Sequence, residues 1–109
     1  TSHLTACSND FSFNDVFSRS LEAFGKQTDV LLAISTSGNS KNIIKVLKKA
    51  KKMNIQSIAL LGCNGGLAKK FADNSIIVNS NNTARIQESH IFIGHFILES
   101  VERKILKNE

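Results

Sequence analysis

A cluster of small hydroxyl side chains follows the apolar run that ends at Ile34. The cluster is the stretch STSGNS, and its hydroxyls belong to Ser35, Thr36, Ser37 and Ser40. Hydroxyl groups can turn toward an anion and donate hydrogen bonds to it, and Gly38 permits a tight turn with close backbone approach. Beside the N-terminus of a helix, such donors suit a phosphate group. The alternative is a polar loop in which Ser40 simply caps the next helix.

A second chemical candidate lies near the C-terminus. Imidazole can give and take a proton near neutral pH, so His95 is a candidate acid for proton transfer. The alternative is a buried structural histidine, because His95 lies within the apolar run IFIGHFIL. Glycine inside a helix costs up to about 1 kcal/mol relative to alanine, so Gly94 suggests close approach of a partner helix or a ligand. His90 is interpreted as structural or interfacial.

Short apolar runs alternate with helical periodicity, and these elements must position the candidate residues. The predicted strands are residues 29–34, 56–62 and 75–78, and the predicted helices are residues 13–24, 41–53, 66–72 and 83–107. This alternation predicts right-handed βαβ units and a parallel sheet. STSGNS then lies at the carboxyl end of a strand, where α/β sheets bind ligands. The last helix is apolar on nearly every side between Ile91 and Leu98, which predicts burial on several faces.

The chain is predicted to be one domain or part of one, because its 109 residues contain no proline and no low-complexity linker. Three strands make a thin parallel sheet, since both faces need cover and most sheets have more members. We therefore expect further structure upstream. A first residue of threonine rather than methionine also fits a fragment.

Composition limits the possible locations and partners. No apolar window approaches the length of a membrane span, and no secretory leader is visible, so a cytoplasmic protein is expected. The two cysteines, Cys7 and Cys63, are expected to be free thiols. A net charge of +5 and the run KKAKK leave nucleic-acid binding as a weak alternative. Against it, those lysines are predicted to face away from an apolar stripe, and all seven aromatic residues are phenylalanines whose positions are mostly predicted to lie in the core.

A second glycine-rich turn, GCNGGLAKK, also follows a predicted strand. Gly62, Gly65 and Gly66 could form another anion-binding turn. A turn that only reverses the chain and starts a helix is favoured, because the segment lacks hydroxyl donors.

Three stretches carry a family resemblance: SNDFSFNDVFSRSLEAFG, LLAISTSGNSKNIIKVLKKAKKM and TARIQESHIFIGH. They resemble the later two-thirds of the phosphoheptose isomerases, within the sugar isomerase (SIS) superfamily. The resemblance implies a three-layer α/β sandwich of the flavodoxin-like SIS type, with residues 1–109 as its C-terminal portion, and a homotetramer. It also implies conversion of sedoheptulose 7-phosphate to D-glycero-D-manno-heptose 7-phosphate, a precursor of lipopolysaccharide or capsule. Some members hold zinc.

The same resemblance assigns roles to individual residues. Those implied in substrate binding are Asp10, Ser35, Thr36, Ser37, Asn39, Ser40 and Gln87. Within this set the serines hold the phosphate, Thr36 and Asn39 shape the loop, and Asp10 bonds sugar hydroxyls. Gln87 and His95 match metal-side residues of the family, and His95 is also its proton-transfer residue. Two parts of the family pattern have no counterpart here: an upstream glycine-rich segment, and the following helix, which carries a histidine and the glutamate base. In addition, Ala84 stands where many members have an aspartate.

The implied chemistry moves a carbonyl from C2 to C1 through an enediol, which a carboxylate base and a histidine acid can catalyse. Gln87 and His95 are eight positions apart, about 12 Å along a helix and about 80° around it. They would share a pocket more easily than one metal ion. His90 lies about 60° from Gln87 by the same geometry.

Two classes of function compete. The first is the isomerase, completed by an upstream segment and neighbouring subunits. The second is a non-catalytic sugar-phosphate regulator, or a DNA-replication initiator-associating protein, of the same superfamily. The presence of Gln87 and His95 favours the isomerase.

Overall fold

The computed structural model describes residues 1–107 and contains a parallel sheet with helices on both faces. The strands, in spatial order, are β1 (Val30–Ser35), β2 (Gln56–Gly62) and β3 (Asn74–Val78). The helices are α1 (Ser2–Asp10), α2 (Val16–Phe24), α3 (Lys41–Lys52) and α4 (Thr83–Leu106). Both strand pairings are parallel, so the predicted α/β class with a parallel sheet is confirmed.

One face of the sheet builds the core against α3. Alternate residues of a strand point to opposite faces, and Ala33, Ala59 and Leu61 share the face that packs on Leu47. All four are nearly or completely buried. The second helix, α2, packs along α3. The apolar stripe that predicted α3 is therefore the stripe that forms the core.

The helix α4 lies on the opposite face and packs on β2 and β3. At the end of β2, a Cβ atom built on Gly62 would lie 2.7 Å from the side chain of Ile86 and 2.3 Å from the carbonyl oxygen of Thr36. Only glycine fits where the helix, the strand and the loop after β1 converge. On this face the apolar side chains of β1 stay exposed, because α4 does not extend over that strand.

The prediction that α4 is buried on several faces is wrong for residues 1–107. Only Ile86 and His90 of this helix are buried, whereas Phe92 and Phe96 are 73% and 63% exposed. A helix of 24 residues is about 36 Å long, and three strands about 4.8 Å apart support only part of it. The close approach predicted at Gly94 is also absent there, since no atom lies within 4 Å of a Cβ built on it.

Three local features differ from the predicted helices. The short helix predicted at residues 66–72 is only a 3-10 turn, Ala68–Lys70. The helix predicted from residue 13 begins with a separate 3-10 turn, Phe13–Asp15, before α2. The helix α1 was not predicted, because it buries one side chain, Cys7, and has little apolar periodicity. Within residues 1–107, no helix has both the length and the apolar character needed to cross a membrane.

Asp73 ties the start of β3 to the start of β2, at the end of the sheet away from STSGNS. Its Oδ2 accepts hydrogen bonds from the backbone N–H and the hydroxyl of Ser57, both at 2.8 Å. Its own N–H donates to the Ser57 Oγ at 3.0 Å. These bonds from Ser57 hold the pKa of Asp73 below its ordinary value, and the charge of Lys51 adds to the effect.

Candidate functional site

The stretch STSGNS, hereafter the serine turn (residues 35–40), joins β1 to α3 at the carboxyl edge of the sheet. Ser35 is 5% exposed, and its Oγ accepts a hydrogen bond from the Gly38 N–H at 3.1 Å. The same Oγ lies 3.2 Å from the Ser40 Oγ, within hydrogen-bond distance. Ser40 occupies the N-cap position of α3, but its side chain makes no capping bond. The hydroxyl that a simple cap would use therefore faces Ser35 instead.

A second turn, hereafter the glycine turn (residues 62–67), holds the serine turn in place. The Asn39 Oδ1 accepts a hydrogen bond from the backbone N–H of Leu67 at 3.0 Å. Gly38 has a φ of 66°, and a Cβ on it would lie 2.2 Å from the carbonyl oxygen of Gly65. The two turns meet with no room for a side chain. The glycine turn thus supports the serine turn by direct backbone packing.

A cleft of about 510 Å³ opens between the serine turn and α4. Its lining residues are Ile34, Ser35, Thr36, Ser40, Gln87, His90 and Ile91. No Lys, Arg, Asp or Glu is among these described lining residues, so an anion in the cleft would be held by dipoles. The N-terminus of α3 lies at the serine turn and carries about half a positive charge. The cleft therefore suits a phosphate at the serine turn, with the rest of the ligand along α4.

His90 lines this cleft, which its assignment as a structural or interfacial residue did not predict. It is 3% exposed, and neither ring nitrogen has a hydrogen-bond partner within residues 1–107. Nearly all buried polar groups have a partner, and leaving one unpaired costs about 1–3 kcal/mol. The sequence held one signal for this placement, since His90 lies three residues after Gln87 on the same helix. Helical spacing gave the angle between the two side chains, but it did not show which side of the helix faces the serine turn.

Ser37 and Asn39 shape the serine turn and do not line the cleft. Both are exposed. The Ser37 Oγ accepts a hydrogen bond from the Asn39 backbone N–H at 3.1 Å, and the Asn39 amide donates to the Ser37 carbonyl oxygen at 3.3 Å. These two hydrogen bonds hold the backbone of the serine turn between Ser37 and Asn39.

Asp10 and His95 also lie outside the cleft. Asp10 is exposed at the end of α1, where its Oδ1 accepts a hydrogen bond from the Asn9 side chain at 2.9 Å. His95 is exposed on α4, about two turns beyond Gln87. Of the predicted site residues, the structure brings Ser35, Thr36, Ser40 and Gln87 together around one space.

Gln87 and His95 do not form a zinc site by themselves. Residues 1–107 contain no group of three or more His, Cys, Asp or Glu side chains that could hold a metal ion. Only Gln87 of the pair lines the cleft, and eight helix positions correspond to about 12 Å along the axis. A zinc ion here would need ligands from outside the described residues.

The chain is an α/β domain with a cleft at the carboxyl edge of its parallel sheet, the place where open α/β sheets bind ligands. A family model described as "SIS domain" matches residues 1–62, and the chain belongs to this family.

Curated relatives and solved structures agree with the family. The chain is 50% identical to a phosphoheptose isomerase of Clostridium acetobutylicum and 51% identical to one of Sulfurimonas denitrificans, over 96% of this chain and 54% of each relative. Phosphoheptose isomerase GmhA from Neisseria gonorrhoeae has a TM-score of 0.89 at 42% identity, over 92% of this chain and 57% of that one. A phosphoheptose isomerase from Francisella tularensis has a TM-score of 0.86 at 35% identity, over 90% and 53%. The chain spans about half the length of the curated relatives it matches.

Proposed function

We propose that this chain supplies the phosphate-binding part of a phosphoheptose isomerase, which converts sedoheptulose 7-phosphate to D-glycero-D-manno-heptose 7-phosphate. The observation that carries the proposal is 50% identity, over 96% of the chain, with an enzyme of that name. The cleft supports it, because its volume of about 510 Å³ is in the range of small-molecule sites.

The serine turn holds the phosphate in this proposal. The hydroxyls of Ser35 and Ser40 face each other at the mouth of α3, and Thr36 lines the same cleft. Ser37 contributes its hydroxyl proton from the rim, because its oxygen already accepts the Asn39 N–H. A phosphate anchored at one end of the sugar fixes the distance from the serine turn to the reacting carbons. Binding at the remote group thus orients C1 and C2 for reaction.

Proton transfer requires groups beyond the cleft. A base takes the C1 proton and returns it to C2, while a second proton passes from the O1 hydroxyl to O2 as the carbonyl forms at C1. His95 is the proposed acid at the oxygens, Gln87 the proposed contact to the sugar, and Asp10 the proposed partner of its hydroxyls. In this proposal the complete site brings Asp10, His95 and a carboxylate base from outside the described residues to the sugar.

Zinc, a homotetramer and a cytoplasmic location complete the proposal. Gln87 and His95 would hold zinc only together with ligands from outside the described residues. When bound, zinc would stabilise the negative charge of the enediolate. Exposed apolar side chains on α4 support assembly with further protein. The product would feed precursors of lipopolysaccharide or capsule.

The test uses the protein as its gene encodes it, incubated with sedoheptulose 7-phosphate and followed by NMR of the aldose anomeric proton. The expected result is steady formation of the aldose phosphate, and no reaction of sedoheptulose without phosphate. Binding of the sugar phosphate without turnover would instead favour the non-catalytic regulator. Absence of both binding and turnover would overturn the proposal.

A further inference from the structure

We propose that His90 donates a hydrogen bond from its ring to the phosphate held at the serine turn, and is thus a ligand-binding residue. The inference rests on the proposed function, because it assigns a residue to the same cleft. It adds a ring N–H donor from α4 to the hydroxyl donors of β1 and α3.

The first step concerns burial without a partner. Four polar residues of the described chain are almost fully buried: Ser18, Ser35, Ser57 and His90. The hydroxyls of the three serines all make hydrogen bonds, to Asp15, Ser40 and Asp73 among others. His90 is the exception within residues 1–107, with both ring nitrogens unpaired. A buried imidazole that pairs with nothing in the described residues is a group with hydrogen-bonding capacity left for a ligand.

The second step concerns position. The Ser8 Oγ is also buried without a partner, but Ser8 does not line the cleft. His90 does, together with Ser35, Thr36 and Ser40. An unpaired donor beside a set of phosphate-type donors has an anion as its natural partner.

The third step concerns charge. No Lys or Arg is among the described lining residues, so the phosphate has no fixed cation beside it. The imidazole is the one lining side chain that can carry a positive charge, and its N–H donates in either protonation state. A hydrogen bond from His90 would therefore give the phosphate the one ring N–H donor among the described lining side chains.

The experiment compares His90→Leu, His90→Gln and the matched control Ser8→Ala in the protein as its gene encodes it. Each variant is measured by thermal unfolding alone, with inorganic phosphate and with sedoheptulose 7-phosphate, and the affinity is measured by calorimetry. We expect His90→Leu to keep or raise the melting temperature without ligand, because it removes two unpaired polar atoms. Its affinity for the sugar phosphate falls about 10- to 100-fold, as expected for a lost hydrogen bond to a charged group.

The remaining variants make the result specific. His90→Gln keeps a side-chain N–H and recovers part of the affinity, whereas Ser8→Ala binds like wild type. If His90→Leu binds both phosphates as tightly as wild type, or loses melting temperature without losing affinity, the inference is overturned and the proposed function stands. If wild type itself binds neither phosphate, the proposed function fails as well. If His90→Leu does not fold, two other measurements test the inference: the affinity of His90→Gln, and the shift of the His90 ring nitrogen NMR signals in wild type when phosphate is added. Unchanged signals overturn the inference.

Discussion

The hydroxyls of the serine turn do different things, and single substitutions should separate them. Ser40→Ala is expected to weaken sugar-phosphate binding by about 0.5–3 kcal/mol with little loss of stability, because this hydroxyl does not cap α3. Ser35→Ala should weaken binding similarly and also lower the free energy of unfolding by about 1 kcal/mol, since its Oγ accepts the buried Gly38 N–H. Calorimetry and urea unfolding measure the two effects.

Ser89→Ala is the control, because within residues 1–107 this hydroxyl bonds only to the Arg85 carbonyl of its own helix. It should change neither quantity by more than about 0.5 kcal/mol. Equal affinities for Ser40→Ala and wild type would show that the phosphate does not contact the serine turn at this position.

Two glycines give a matched pair with opposite expected signs. Gly38→Ala should destabilise by about 1–3 kcal/mol or more, because φ is positive and the new Cβ would lie 2.2 Å from the Gly65 carbonyl oxygen. Gly94→Ala should stabilise by about 0.5–1 kcal/mol, since it lies inside α4 with open space around it. Urea unfolding checks both. A loss of stability at Gly94 would reveal a neighbour outside residues 1–107.

The role proposed for His95 is also testable by one substitution. His95→Ala should abolish isomerisation and leave the affinity for sugar phosphate within about threefold of wild type, because the residue does not line the cleft beside the serine turn. Turnover and calorimetric binding of the same preparation measure the two properties. Wild-type turnover in this variant would remove His95 from the mechanism.

At the scale of single residues, the sequence predicted where the serine turn lies but not what surrounds it. Residue types and the position after an apolar run were enough to place Ser35, Thr36 and Ser40 at the carboxyl end of β1, because these features are local. The unpaired imidazole of His90 could not be predicted, since it depends on which face of α4 meets the sheet. The contact of Gly38 with Gly65 is likewise a meeting of two turns distant in sequence.

At the scale of elements, the stability that Asp73 contributes by linking β2 to β3 should depend on pH. Hydrogen bonds from Ser57 lower the pKa of Asp73 in the folded chain. Its contribution to stability is therefore fully present above the unfolded pKa of about 3.9, and is lost as pH falls through the lower folded pKa. Asp73→Asn should be less stable than wild type at neutral pH and should lose less stability on acidification. Urea unfolding at pH 7 and at about pH 3 compares the two.

Glu102→Gln is the control for this prediction, because Glu102 is exposed and has no ion-pair partner within residues 1–107. It should follow the wild-type pH dependence. Parallel acid profiles for wild type and Asp73→Asn would contradict the role assigned to the Ser57 bonds.

Most elements could be predicted because their signals are local. The strand β2 begins and ends as predicted, and β1, β3, α3 and α4 differ from their predicted bounds by one residue or less at each end. A 3-10 turn, Ala68–Lys70, stands where a longer helix was predicted. The backbone N–H of Ala68 donates a hydrogen bond to the Gly38 carbonyl oxygen, and this contact between distant parts of the sequence fixes the chain directly after the glycine turn. The exposure of α4 was missed, since an apolar sequence shows that a surface needs cover but not where the cover comes from.

The whole molecule presents an apolar surface that residues 1–107 do not cover. It comprises the open face of β1 and the outer side of α4, with Val30, Leu32, Ile34, Ile91, Phe92, Phe96 and Leu98 all more than a third exposed. Apolar surface of this extent marks contact with other protein. Two sources are available: the rest of a chain as long as its relatives, or further copies in the proposed homotetramer.

Phe92 and Phe96 can distinguish these two sources. They lie one turn apart on α4 and are 73% and 63% exposed, so replacing both by serine removes a large apolar contact without opening a cavity in the described core. If copies of the chain cover them, the double variant of the gene-encoded protein should dissociate from tetramer to smaller species by light scattering, whereas Glu102→Ser should not. If the same chain covers them, the variant stays tetrameric and its melting temperature falls. The homotetramer predicts the first outcome, because α4 then buries its apolar side against another subunit.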